Sequence, residues 1–173
     1  MSNIRLKINQ KELVKHIELK SDYWINRKET NCYAFALGFD IPERNIMNGA
    51  YKVGVIGFTK EGIDLSKINI YSYEERLIKD LKTLKLIYEE TSPEEIVKDD
   101  YKYTFFLISL LEHPKDFHFL RKSKQDNTWW HKRGWEAMPN NIDDFDNIIV
   151  NPKNAVIGNY EYIKTYKIGF KRK

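Results

Sequence analysis

The sequence predicts an α+β domain, with helices first and a largely antiparallel sheet after them. Three observations carry that expectation. Leu and Ile recur at helical spacing in YEERLIKDLKTLKLIYEE (73–90), while aromatic and β-branched residues crowd YKYTFFLISL (101–110) and EYIKTYKIGFK (161–171). No repeat, low-complexity tract or break in composition divides the chain. With 173 residues, 42% of them hydrophobic and 31% charged, it suits one folded domain spanning 1–173, large enough to bury roughly 70% of its unfolded surface.

Taken in order, QKELVKHIELKS (10–21) sets Leu13, Ile17 and Leu19 among charges and reads as a surface helix; SDYWINRKET (21–30) reads as an ordered loop. NCYAFALG (31–38) is a short apolar run between a cap residue, Asn31 or Thr30, and the stop signal Gly38. A helix there would be buried on most sides, with Cys32 in its first turn. Residues 40–70 read as loops with one short strand at VGVIGF. Helix is expected across 73–90, where Leu77, Leu81, Leu84 and Ile87 share a face, and SPEE (92–95) offers a further helical turn capped by Ser92. The second half changes period: DFHFLRK (116–122), WWHKRG (129–134) and NIIVNP (147–152) join the two long strands.

The charge balance is mild. Lys and Arg number 29 against 25 Asp and Glu, a formal +4, which permits contact with nucleic acid or an anionic cell wall and requires neither. The N-terminal MSNIRLKINQKELVKH lacks the apolar run and cleavage site of a secretory signal, and no stretch approaches the roughly 20 apolar residues of a membrane span. Synthesis and initial folding in the cytoplasm, with no membrane segment, are therefore expected; a cell-wall target would require a non-classical export route.

The single cysteine can form no internal disulfide. A free thiol is only a few per cent ionised near neutrality, whereas a helix N-terminus and a nearby imidazolium both favour the thiolate. Cys32 has the first at hand. DFHFLRKSKQDNTWWHKRG reads as one hairpin, and if its strands pair symmetrically about Lys124 and Gln125, His118 falls opposite His131 on the same face. His118 could then serve Cys32 as base and later acid, with His131 orienting the His118 ring. Asp116, two residues before His118, is the alternative orienting group.

The chain order of a cysteine at a buried helix start, then a histidine and a polar orienting group on later strands, resembles papain-like cysteine peptidases and amidases. It is most similar to the NlpC-type and CHAP-type cell-wall hydrolases, whose third group is often a histidine. NCYAFALG, DFHFLR and TWWHKRG also resemble a group of small bacterial and phage proteins carrying Asn-Cys-Tyr-Ala, Asp-aromatic-His-aromatic and Trp-x-His-Lys-Pro-Gly segments. Arg133 stands where that group has proline, and Leu120 where an aromatic is common. The resemblance touches 31–38 and 101–152. It implies a papain-like fold, catalytic Cys32, His118 and His131, no cofactor, and cysteine-dependent hydrolysis of an amide bond, with transamidation or deamidation of a protein as variants of that chemistry. A peptide, a peptidoglycan stem peptide or a protein would be the substrate. It also implies an amide side chain a few residues before the cysteine as oxyanion donor, for which Asn26 and Asn31 are the candidates.

Trp24, Trp129 and Trp130 are candidate walls of a substrate cleft, because alternating strand faces would send one of the last two into the core and leave the other outside. Asp143, Asp144 and Asp146 read as a solvated loop, and His16 and His113 receive no role. Zinc could use one cysteine and two histidines, but no close pair of ligands gives metal spacing, so no metal is expected. GVIGFTKEG lacks the ending of a phosphate-binding loop. A non-catalytic binding or inhibitory protein with an aromatic cleft is the alternative function, and nucleic acid is an unlikely partner because acidic runs interrupt the basic positions.

Overall fold

The computed structural model describes residues 31–38, 71–134 and 137–172. They form two helices, α1 (Cys32–Leu37) and α2 (Tyr73–Thr83), and five strands, β1 (Ile87–Thr91), β2 (Tyr103–His113), β3 (Asp116–Lys122), β4 (Trp129–Trp130) and β5 (Glu161–Lys171). The strands make one antiparallel sheet in the order β1-β5-β2-β3-β4. The α+β class is as the sequence implies. The expected helix over 10–21, the loop over 21–30 and the loops and strand over 40–70 lie outside the described residues. Among the described residues no helix is long and apolar enough to cross a membrane.

Alternation along β2 explains the layering. Phe106, Ile108 and Leu110 face the two helices, in a core that also holds Tyr33, Leu37, Leu77, Leu81, Phe119 and Ile168. Leu107 and Leu111 face the other way, toward Leu120, Trp129, Ile149 and Ile157. Covered on both faces, β2 is buried continuously from Phe106 to Leu111, which is why its sequence is a near-unbroken apolar run.

α1 keeps the limits its caps dictate: Asn31 Oδ1 accepts from the Ala34 N–H at 3.0 Å, and Gly38 ends the helix at φ 74°. α2 opens with a capping box between Ser72 and Glu75. It stops at Thr83, short of the expected 90. Lys85 takes a left-handed conformation at φ 56°, and the chain then leaves in extended form, so Ile87 belongs to β1 and not to the helix. Residues 92–95 form only a turn, closed by Glu95 N–H to the Ser92 carbonyl. The expected strand at 147–152 reduces to a bridge between Ile142 and Ile148, followed by a 3-10 turn at Pro152–Asn154.

Across the sheet, Gly169 pairs directly with Phe105, whose ring lies over it. A methyl at Gly169 would stand 2.6 Å from Phe105 Cε1. Gly169→Ala is therefore expected to displace that ring and destabilise the protein by about 1–3 kcal/mol, measured by urea unfolding.

Candidate active site

The β3-β4 hairpin sets the positions of the histidines. Arg121 pairs with Trp130 and Lys122 with Trp129, a register two residues away from the symmetric pairing that would place His118 opposite His131. The loop accounts for the offset: Ser123 N–H bonds the Thr128 carbonyl, Asn127 is left-handed at φ 60°, and Asp126 accepts from the Thr128 N–H and hydroxyl. Because the offset is even, both histidines stay on one face. They meet diagonally, His118 Nε2 to His131 Nδ1 at 2.8 Å, with ring centroids 5.1 Å apart.

The second ring nitrogen of His131 resolves the protons of the pair. His131 Nε2 lies 2.8 Å from the Ile142 carbonyl, and a carbonyl only accepts, so neutral His131 carries its hydrogen on Nε2. Its Nδ1 must then accept from His118 Nε2–H. By the same logic the neutral His118 has a bare Nδ1, and no hydrogen bond within the described residues engages that nitrogen. His131 has both nitrogens committed to hydrogen bonds, which leaves no lone pair for a metal in this arrangement. The alternative orienting group, Asp116, bonds elsewhere: its Oδ1 accepts from the Phe117 N–H at 2.8 Å and its Oδ2 from the Tyr160 hydroxyl at 2.5 Å, and among the described residues no hydrogen bond joins it to His118.

Cys32 and His118 line one open cleft of about 380 Å³ together with Asn31, Asp116, Arg133, Asp144 and Tyr160. β4 is only two residues long, so it leaves the outer edge of β3 unpaired beyond Arg121, and α1 packs against β3. Both reacting candidates are nevertheless largely covered, Cys32 at 7% exposure and His118 at 6%.

That burial governs the electrostatics. It pushes the Cys32 thiol up to about 12, with the Asp116 charge adding to the effect, against the N–H groups of Phe119, Tyr33 and Cys32, which pull it down. Burial also takes His118 down to about 3, helped by the charges of His131 and Arg133 and opposed by Asp144. His131 is lowered too, by burial first and by Arg133, against the Ile142 carbonyl. The resting cleft is therefore lined by a neutral thiol and a neutral imidazole. The thiolate expected from the helix start is not present, because loss of water around the sulfur outweighs the N–H groups aimed at it.

The other expected site residues separate. Asn31 lines the cleft, but its side-chain oxygen is engaged in capping α1. Trp129 is fully buried in the second core, and Trp130 bonds Thr128 through its ring N–H. Neither stands in the lining of the Cys32 cleft, because the hairpin register turns one inward and carries the other along the sheet. Trp24 and Asn26 lie outside the described residues. Asp143 is not a solvated carboxylate: it is buried and accepts from the N–H groups of Phe145, Asn147 and Val156. Asp144 bonds the Gly158 N–H and pairs with Arg133. Arg133, at the position of the departure from proline, also reaches the Ile142 carbonyl that holds His131.

Tyr160 is a cleft residue that sequence reasoning missed. Its ring lies 5.6 Å from that of His118 and 5.9 Å from that of His113. Only its position just before a strand hinted at a place near the sheet end. No protein-family model matches the chain, and no curated protein or solved structure is detectably similar to it.

Proposed function

We propose that the protein is a cysteine-dependent acyl-transfer enzyme of papain-like design, hydrolysing an amide bond in a peptide or protein. The observation that supports this best is the run of hydrogen bonds from the Ile142 carbonyl through His131 to His118 Nε2, which leaves a bare Nδ1 on a ring that shares its cleft with Cys32. As Cys32 Sγ bonds to the substrate carbonyl carbon, its proton passes to His118 Nδ1. In this reading the Cys32 N–H, at the helix start, binds the developing oxyanion. His118 then gives its proton to the departing amine as the C–N bond breaks. Water attacks the thioester and loses a proton to His118, and as the C–S bond breaks His118 returns that proton to Sγ, restoring the thiol.

Proton transfer accompanies attack in this scheme, since the resting pair is neutral. His131, whose Nδ1 accepts from the ring throughout, holds His118 in the tautomer this transfer needs. Bacterial cell-wall stem peptides and protein substrates both fit the motif resemblance.

The neutral, largely covered thiol favours a second reading, a non-catalytic binding protein in which Cys32 is a core residue. Incubating the protein with a mixed peptide library and with digested cell wall separates the two. New amino termini that appear with wild type and vanish with Cys32→Ala support the enzyme. No new termini, together with partner binding unchanged by Cys32→Ala, would replace it with the binding protein.

A further inference from the structure

Asp116 and His118 are two residues apart on β3 and therefore share a face. A carboxylate on that face is chemically able to accept a hydrogen from His118 Nδ1, which would draw the ring into its other tautomer. His118 would then turn a bare Nε2 toward the bare Nδ1 of His131 and lose the lone pair that Cys32 needs. In the structure Tyr160 donates its hydroxyl to Asp116 Oδ2 while its ring, tilted by 44°, packs against the His118 imidazole.

We propose that Tyr160 is a positioning residue for the acyl-transfer site, holding the Asp116 carboxylate away from His118 so that Nδ1 stays unprotonated. The inference rests on the reading of Cys32 and His118 as the reacting pair. Tyr160 is suited to this task. Its N–H bonds the Ile157 carbonyl, which fixes the residue just before β5. A register shift between Leu110 and Leu111 bends β5 near its start, where Leu111 pairs with Tyr162 and Ile163 is passed over. Burial, then the hydrogen bond to Asp116 and its charge, raise its hydroxyl well above the usual range, so it remains a donor at neutral pH. The charged and titratable groups that line the cleft with His118 are Cys32 on α1, Asp116 on β3, Arg133 after β4, Asp144 in the following loop and Tyr160, with His131 bonded to its Nε2; of these, His131, Arg133 and Asp144 act on its charge.

The test is 15N NMR of labelled imidazoles at neutral pH, where the shifts report which ring nitrogen holds hydrogen. Wild type is expected in the Nε2–H form. Tyr160→Phe, which keeps the ring and removes only the hydroxyl, is expected to populate the Nδ1–H form and to raise the His118 titration midpoint by about one unit or more. Adding Asp116→Asn to Tyr160→Phe is expected to reverse both changes. Unchanged spectra in Tyr160→Phe, or changes that persist in the double variant, would overturn the inference. These spectra do not depend on turnover: absent acyl transfer with spectra as expected would defeat the proposed function and leave the positioning role standing.

Discussion

His118→Ala will slow acylation of Cys32 by about 10²–10⁴-fold, the usual contribution of a positioned general base. The effect should be at the large end, because the thiol starts protonated. A cysteine held as thiolate could still attack without its histidine. Cys32 is held as a thiol by burial, up at about 12, so removing the base removes the proton acceptor. His131→Ala should act more weakly, by loss of the tautomer that His131 enforces through its 2.8 Å bond to His118. Stopped-flow release of nitrophenolate from p-nitrophenyl acetate gives both rate constants, and equal rates in wild type and His118→Ala would remove His118 from the mechanism.

Acid will destabilise the fold through the same histidine. In the unfolded chain His118 takes up a proton near its ordinary 6.5, whereas in the folded chain burial holds it back to about 3. The unfolded state thus binds more protons throughout that window, stability rises with pH across it, and acidification reverses the gain. His118 alone should account for about 3 kcal/mol between pH 7 and 4, and lowered His131 has the same sign. Urea unfolding at the two pH values, compared between wild type and His118→Gln, isolates the term from the carboxylates. A loss of stability that is identical in the two proteins would contradict the buried neutral imidazole. Cys32 supplies the opposite limb. Its folded value lies above the ordinary 9.0, so stability falls as the unfolded thiol ionises at alkaline pH.

Elements whose cues are local were legible in the sequence. α1 kept both limits because Asn31 and Gly38 act within one or two turns, and β3 matched DFHFLRK at both ends because a two-residue turn and a polar loop bracket it. The helix over 73–90 was overread because Leu84 and Ile87 continue its spacing. Left-handed Lys85 and the pairing of Ile87 with Gly169 decide otherwise. At the site, the shared face of the two histidines followed from the period of a strand and survived an even error in register. Three features came from distant chain segments and had no sequence cue: the Ile142 carbonyl on His131, the tie of Arg133 to Asp144, and the hydroxyl of Tyr160 on Asp116. The neutral thiol was missed for a related reason, since desolvation depends on everything packed around Cys32 and not on its place in a helix.

Whether Cys32 carries the acyl group is tested most directly by peptide mass mapping of protein quenched during the p-nitrophenyl acetate burst. The account predicts an acetyl thioester on Cys32, labile to hydroxylamine and lost in His118→Ala. Acetylation confined to lysines and tyrosines, with Cys32 unmodified in the intact fold, would contradict it.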